Sequence, residues 1–293
     1  MIDGQDSLRA LDRMILSGLR LIPPGTMGKS RLSRFLLRAT AHRGEIEVTT
    51  LTGDRLLMPS MHEPIAFHCL IDGVYEPELV AVLRQYLTEG STFLDIGANV
   101  GVFTVFASRL VGGRGSVLAV EASPFINRFL ARNIAVNGCS NVHHLAKAVS
   151  VFGPQTIDFW PAPNDKFGMG SLAPQFNAEP ISVEADTIDH LLAAAGAATI
   201  NVIKIDIEGF EAAAFRGARE LLSREPRPIV IFEFVDWAES RAGFACGDAQ
   251  RVLLDWGYSL NVIERGGRLK KLDRPLEHGA ANIAALPSGG PHF

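Results

Sequence analysis

A short segment in the first third of the chain, residues 92–104, places the strongest constraint on the fold. Its sequence is TFLDIGANVGVFT: an apolar run that carries Asp95, a turn in which Gly97 and Gly101 flank Asn99, and an apolar segment typical of a helix. Glycine permits a sharp turn and close backbone approach, and the free N–H groups at a helix start can hold a polar or anionic group. The segment predicts a strand, a tight turn and a helix of the nucleotide-binding type.

Glu121 follows a second apolar run, Ser116–Val120. In doubly wound α/β folds, a carboxylate at the tip of the second strand accepts hydrogen bonds from both ribose hydroxyls. The turn has the spacing G-x-N-x-G instead of the dinucleotide fingerprint G-x-G-x-x-G, which disfavours a nicotinamide or flavin cofactor. Glu121 and Asp95 together predict a pocket for a ribose whose other end is a zwitterion.

Three motifs follow one another in the chain: LDIGANVGVFT from residue 94, VEASPFINRFLARNIAVNG from residue 120 and IKIDIEGFEAAAFRGA from residue 203. Together they resemble the FkbM family of S-adenosylmethionine-dependent methyltransferases, most of which are assigned as O-methyltransferases. The resemblance implies a Rossmann-like α/β class I methyltransferase fold, with a mostly parallel seven-stranded sheet and a reversed last strand. It also implies S-adenosylmethionine as the cofactor, which fits the pocket inferred from the ribose site.

Further cofactor contacts are predicted around the turn. Ala122 follows Glu121, while Ala148 and Val149 end the third predicted strand, 141–150, at the position that flanks the adenine in this fold. Glu76 belongs to a YEP element that precedes the turn in the family. It could contact the methionine ammonium, or it could only favour the start of the following helix. The predicted cofactor-binding residues are therefore Glu76, Asp95, Gly97, Asn99, Gly101, Glu121, Ala122, Ala148 and Val149.

Carboxylates also end two later strands. Asp206 and Glu208 close the apolar run 201–207, and Glu233 ends the run 228–234. Ligands of open α/β sheets lie beyond the carboxyl ends of the strands, so all three carboxylates are predicted at the pocket mouth. Methyl transfer to a hydroxyl needs alignment and removal of a proton, which makes the three side chains candidate catalytic bases.

Other roles for these carboxylates stay open. Asp206 or Glu208 could instead bind the methionine ammonium or cap the helix predicted over 209–221. The three side chains together could hold Mg²⁺, although the sequence does not indicate a metal site.

Residues 1–43 carry eight basic and three acidic side chains, and predict an N-terminal helical appendage to a methyltransferase domain over 44–293. Its expected helices cover 8–21 and 30–40. The second is basic and amphipathic, so it could touch a membrane surface or partner, or pack on its own domain.

Between the appendage and the glycine turn, residues 45–60 predict a hairpin and residues 64–70 a further strand. The Gly- and Pro-rich segment 162–180 is interpreted as a lid over the acceptor.

Composition disfavours several classes of function. The net charge of −4 argues against a nucleic-acid partner, and three scattered cysteines suit neither zinc nor a disulfide framework and indicate a reducing cytoplasm. The sequence predicts neither a signal peptide nor a membrane span.

We expect the acceptor to be a small molecule or glycan with a hydroxyl: a sugar, glycan or secondary metabolite. Two alternatives are a non-catalytic S-adenosylmethionine-binding module and, less favoured, a nicotinamide-dependent oxidoreductase. The sequence does not indicate an oligomeric state.

Overall fold

The computed structural model describes residues 10–22, 26, 28–29, 31–33, 44–176, 179–197 and 199–288. The strands are β1 Ile46–Thr49, β2 Arg55–Met58, β3 Thr92–Ile96, β4 Ser116–Val120, β5 Val142–Leu145, β6 Ala148–Val149, β7 Gln155–Phe159, β8 Ile181–Asp186, β9 Val202–Ile205, β10 Ile229–Val235, β11 Tyr258–Glu264, β12 Arg268–Lys271 and β13 Ala280–Pro287. The helices are α1 Ala10–Arg20, α2 Pro64–Asp72, α3 Pro77–Tyr86, α4 Val102–Val111, α5 Pro124–Val136, α6 Ile188–Ala195, α7 Glu211–Arg216, α8 Arg219–Ser223, α9 Asp236–Arg241 and α10 Asp248–Asp255, with a 3₁₀ segment at Asn164–Met169.

Eight strands form the main sheet in the order β12-β11-β13-β10-β9-β3-β4-β5. The five strands from β10 to β5 run parallel, and β13 is antiparallel to β10. All four residues of β9 are buried, as expected for a strand covered on both faces. The predicted class I fold with a reversed last strand is confirmed, and β12 adds a short strand at one edge.

Helix α5 shows how local sequence sets the element ends. The Ser123 hydroxyl accepts a hydrogen bond from the Ile126 N–H, and Pro124 occupies the first turn, where its missing N–H costs nothing. The helix stops at Asn137 and is followed by Gly138 with φ 64°. A capping serine, a proline and a terminal glycine thus set both ends of this helix.

The third predicted strand, 141–150, is wrong in its extent because it divides between two sheets. Its first part, β5, ends where the Leu145 carbonyl accepts a hydrogen bond from the Glu121 N–H. The chain then leaves the main sheet, and Ala148 pairs with Ala185 in a three-stranded sheet of order β6-β8-β7. The helix predicted over 209–221 is likewise two short helices, α7 and α8.

The strand predicted for residues 64–70 is a helix, α2. The Glu63 carboxylate accepts hydrogen bonds from the N–H groups of Ile65 (2.6 Å) and Ala66 (3.3 Å), and Pro64 sits at the first helical position. Gly73, with φ 70°, ends the helix. A capping carboxylate, a proline and a terminal glycine thus outweigh the apolar, strand-like composition of the segment.

The N-terminal helix α1 is present and packs on α2. Arg20 Nε donates to the Leu70 carbonyl (3.0 Å), and Lys29 forms a buried ion pair with Asp72 (2.7 Å). Of the second predicted helix, 30–40, only 31–33 lie within the described residues. No helix in the described part of the chain combines the length and apolar character needed to cross a bilayer.

Candidate active site

A cavity of about 300 Å³ lies at the carboxyl ends of β3, β4, β9 and β10. The glycine turn forms its floor, and the residues after β4 form one wall. The start of α2 and the loop that contains the 3₁₀ segment close the opposite side. The parallel sheet therefore brings together the strand ends from which a cofactor and an acceptor are bound.

Neighbouring protein groups leave no room for a side chain at either glycine of the turn. Gly97 has φ 71°, and a Cβ placed on it would lie 1.9 Å from the Asp206 carbonyl oxygen. Gly101 has φ 88°, and a Cβ there would lie 2.7 Å from Leu130 Cδ1 on α5. Any side chain at Gly97 would push the end of β9 away from the turn. Close packing of the turn against β9 thus shapes the cavity floor.

Glu121 is fixed at the wall of the cavity. Its two carboxylate oxygens accept hydrogen bonds from the backbone N–H groups of Asn99 (2.9 Å) and Ser123 (2.7 Å). Burial raises the pKa of Glu121 to about 7, although both hydrogen bonds act to lower it. Each oxygen keeps one further lone-pair site, so the carboxylate can still accept the two hydroxyls of a ribose. The residue fits the role predicted for it.

A buried lysine links a carboxylate within β3, Asp95, to the carboxylate that follows β9, Asp206. Lys204 Nζ lies 3.2 Å from Asp206 Oδ2 and 4.0 Å from Asp95 Oδ1. Burial lowers the pKa of Lys204, but the carboxylates of Asp206, Asp95 and Glu76 more than offset this and raise it above its usual range. Asp95 is fully buried and accepts a hydrogen bond from Thr104 Oγ1 at 2.6 Å. Asp95 therefore lies behind the cavity wall and holds Lys204 and α4 in place.

Glu208 and Glu233 lie in the cavity beside Asp206. Burial, followed by the charges of Asp206 and Glu211, raises the pKa of Glu208 to about 8. Burial and the charges of Asp206 and Glu208 raise the pKa of Glu233 to about 9. Like charges in a poorly solvated site disfavour one another, so Glu208 and Glu233 exchange protons in the neutral to alkaline range.

The N–H groups after β9 are held by a different carboxylate. Glu211 Oε1 accepts hydrogen bonds from Ile207 N (2.9 Å) and Gly209 N (3.4 Å). Glu211 is buried, and burial raises its pKa to about 7. Helix α7 has no side-chain cap, so neither Asp206 nor Glu208 takes the capping role considered for it, and both line the cavity.

Backbone strain concentrates at this end of the sheet. In the described part of the chain, four non-glycine residues have positive φ, and three belong to this region: Glu76 (42°), Asn99 (52°) and Glu208 (57°). Such conformations cost of order 1–3 kcal/mol each and persist where the surrounding structure fixes them. Glu76 Oε1 accepts a hydrogen bond from Asn282 Nδ2 at 3.2 Å, which ties α3 to β13.

Nine of the predicted site residues line the cavity: Gly97, Asn99, Glu121, Ala122, Ala148, Val149, Asp206, Glu208 and Glu233. Glu76, Asp95 and Gly101 do not. Glu76 is turned into the contact with Asn282, Asp95 into the contact with Lys204, and Gly101 packs against Leu130. The structure therefore gives these three supporting positions behind the cavity wall.

Sequence reasoning missed Glu63, which lines the cavity as well as capping α2. Burial raises its pKa to about 7, and the Gly168 N–H is among the groups that hydrogen-bond to it. A Cβ on Gly168 would lie 2.9 Å from Glu63 Oε1, so this glycine lets the loop approach the helix start. The signal available in the sequence was an acidic residue directly before Pro64, a helix-capping pattern.

The residues of the loop predicted as a lid are close to the cavity. Phe167, Gly168, Gly170 and Ser171 all line it, and Ser171 pairs with Trp160 through an isolated β-bridge. Within the described residues, no group of three or more His, Cys, Asp or Glu side chains has an arrangement that could hold a metal ion.

The chain is similar in part to several known proteins. A SAM-dependent O-methyltransferase from Thermotoga maritima is 14% identical, with a TM-score of 0.41 over 84% of this chain and 79% of that chain. Fibrillarin from Aeropyrum pernix, solved with natively bound S-adenosyl-L-methionine, is 15% identical, with a TM-score of 0.42 over 83% and 94%. Protein-L-isoaspartate O-methyltransferase 1 of Archaeoglobus fulgidus is 32% identical over 101 residues, which are 33% of this chain and 44% of that protein. The chain thus matches less than half of the length of this relative.

The glycine turn, the cavity carboxylate that follows β4 and the order of the parallel strands define an α/β nucleotide-binding fold of the methyltransferase class. The sequence model of the methyltransferase FkbM domain matches residues 95–260, more than half of the chain. The chain belongs to the FkbM methyltransferase family. This membership confirms the resemblance drawn from the three motifs and the predicted cofactor, S-adenosylmethionine.

Proposed function

We propose that the protein transfers the methyl group of S-adenosylmethionine to a hydroxyl of a small molecule or glycan. The observation that carries the proposal is Glu208, a cavity carboxylate whose pKa is raised to about 8, next to a site suited to a ribose. When bound, the cofactor supplies a methyl group on a good leaving group. The protein then has to align the acceptor and take its proton.

The cofactor half of the cavity is proposed to be the side of the turn and β4. Glu121 would accept the ribose hydroxyls, because its carboxylate is fixed by two N–H groups and faces the cavity. Ala122, Ala148 and Val149 offer small apolar surfaces on the same side, suited to an adenine ring. Gly97 and Asn99 contribute the exposed backbone of the turn.

The acceptor half is proposed to be the ends of β9 and β10. Asp206 is paired with Lys204 at 3.2 Å, which neutralises its charge within the protein. The charge of Arg241 acts to lower the pKa of Glu208, but burial and the neighbouring carboxylates outweigh it. A base with a pKa near the working pH is effective in removing a hydroxyl proton. Glu233, with a pKa of about 9, keeps its proton at neutral pH and can donate a hydrogen bond.

The proposed acceptors are a sugar, a glycan or a secondary metabolite. To test this, the protein is incubated with S-adenosylmethionine labelled in the methyl group and with alkyl glycosides, phenols, an isoaspartyl peptide and a primary amine. Label is expected on hydroxyl compounds, with a rate that rises through about pH 8 as Glu208 loses its proton. Label on the peptide carboxyl or the amine alone would contradict hydroxyl transfer.

The role of Glu208 is tested in the same assay. Glu208→Gln should lower turnover by about 10²-fold or more, since general-base catalysis typically contributes 10²–10⁴-fold. The matched control is Glu277→Gln, a change of the same kind at an exposed position outside the cavity. Cofactor binding without transfer to any compound class would favour the binding-module alternative, and equal activity in both variants would remove Glu208 as the base.

A further inference from the structure

Arg241 is the last residue of α9, and the inner part of its guanidinium is buried. In the described part of the chain, Arg241 Nε and Nη2 have neither solvent contact nor a hydrogen-bond partner. We propose that Arg241 is a positioning residue: its guanidinium stabilises ionised Glu208 and so keeps this carboxylate available as the base near neutral pH. The inference rests on the proposed function and adds to it a residue that does not line the cavity.

The turn after β9 packs directly on α9 and on the residues that follow this helix. A Cβ on Gly209 would lie 2.3 Å from the Ala238 carbonyl oxygen, so the backbone next to Glu208 meets the backbone of α9. One residue further along, the ring of Phe210 packs edge-on against that of Phe244, with centroids 6.0 Å apart. These two contacts hold the proposed base and the guanidinium on adjoining segments.

A contact within α9 restrains the guanidinium and leaves its donors free. Arg241 Cζ lies 4.8 Å from the centroid of the Trp237 ring, one helical turn earlier, in a cation–π geometry. Stacking of this kind uses the face of the planar group and none of its N–H donors. Buried donors without a partner cost free energy, and a charged carboxylate makes the strongest hydrogen bonds to them. The two unpaired donors are therefore suited to a neighbouring carboxylate that becomes ionised.

The charges that act on Glu208 are mostly of its own sign. Carboxylates act on it from the end of β9, from α7, from the start of α2 and from β10: Asp206, Glu211, Glu63 and Glu233. The charge of Arg241 opposes them and acts to lower the pKa of Glu208. Burial lowers the pKa of Arg241, and the charge of Glu208 opposes that effect in return. Each group thus favours the charged form of the other.

The pKa of Glu208 can be measured without an acceptor, by carbon-13 NMR of protein labelled at the glutamate side-chain carboxyl. The Glu208 resonance is the one absent from Glu208→Gln. Arg241→Met should raise this pKa by about 0.5 pH unit or more, because it removes an opposite charge. Arg241→Lys keeps the charge and should raise it by less than half as much. Arg224→Met, at an exposed arginine outside the cavity, should leave it unchanged.

The pH profile of methyl transfer is the second readout. Arg241→Met should lower the rate about 3-fold or more at pH 7, where less of Glu208 is ionised, and much less at pH 9. Arg241→Gln serves as the neutral variant if Arg241→Met does not fold.

Three results would overturn the proposal: an unchanged Glu208 pKa in the neutral variant, an equal rise in Arg224→Met, or a rate loss of the same factor at pH 7 and pH 9. The NMR measurement separates these results from failure of the proposed function. If the pKa rises as expected but labelled methyl never reaches a hydroxyl, the pairing stands and the proposed reaction is wrong. If hydroxyls are methylated and the pKa is unchanged, the reaction stands and the assignment of Arg241 is wrong.

Discussion

Replacing Glu208 by glutamine should make the cofactor-free protein more stable at high pH and leave its stability at low pH nearly unchanged. Burial and the charges of Asp206 and Glu211 raise the pKa of Glu208 from 4.5 to about 8. The folded state then binds the proton more tightly than the unfolded chain. The stabilisation that the proton on Glu208 gives the folded state is complete below pH 4.5 and is lost as the pH rises through about 8.

The size of the effect follows from the same values. A carboxyl pKa raised from 4.5 to about 8 corresponds to at most ~5 kcal/mol of unfolding free energy lost by alkaline pH. Glu208 shares its site with Glu233, so part of this cost is relieved when Glu233 keeps its proton. We therefore expect Glu208→Gln to be more stable than the wild type by about 1–3 kcal/mol at pH 9.

Urea unfolding at pH 5 and pH 9, followed by far-ultraviolet circular dichroism, measures this difference directly. The control Glu277→Gln changes an exposed glutamate and should stay within about 0.5 kcal/mol of the wild type at both pH values. If Glu208→Gln is no more stable than the wild type at pH 9, Glu208 is not held in an unfavourable charged state, and the argument for it as the base fails.

Three further substitutions test how the site is supported, each by urea unfolding against the wild type. Gly97→Ala should lower the free energy of unfolding by about 2 kcal/mol or more, because Gly97 has a positive φ and the new Cβ would lie 1.9 Å from the Asp206 carbonyl oxygen. A loss below about 0.5 kcal/mol would contradict tight packing of the turn. Asn133→Leu should lower the free energy of unfolding by about 2–4 kcal/mol, since the buried Asn133 side chain forms hydrogen bonds with both the N–H and the carbonyl of Leu57. An unchanged free energy of unfolding would show that water replaces the side chain. Lys204→Met should lower the free energy of unfolding by about 3–5 kcal/mol, because it leaves the buried Asp95 and the half-buried Asp206 unpaired; a smaller pH dependence than in the wild type would argue against that pairing.

The sheet could be predicted because its strands carry their own signal. A strand such as β9, buried on both faces, must be continuously apolar, and the carboxylates that follow it stand out against that run. The reversed β13 follows a hairpin with a clear Gly-Gly turn at Gly266 and Gly267. The candidate residues that follow β3, β4 and β9, and Glu233 in β10, line one cavity for the same reason: strand ends of a parallel sheet meet at one edge.

The sequence could not show the side-chain positions that a tertiary contact fixes. Glu76 and Asp95 have the residue type and the sequence position of cofactor ligands. However, each faces a partner that is distant in the chain, Asn282 in one case and Lys204 in the other. Glu63 was missed for the opposite reason: its segment looked like a strand, and its approach to the loop depends on a glycine about a hundred residues later.

The central claim divides one cavity between a cofactor carboxylate, Glu121, and a proton-accepting carboxylate, Glu208. Calorimetric titration of S-adenosylhomocysteine into the wild type, Glu121→Gln and Glu208→Gln tests that division most directly. We predict binding to the wild type, a loss of about 10- to 100-fold in Glu121→Gln, and affinity within about threefold of the wild type in Glu208→Gln. Equal losses in both variants, or a loss in Glu208→Gln alone, would contradict the proposed division of the site.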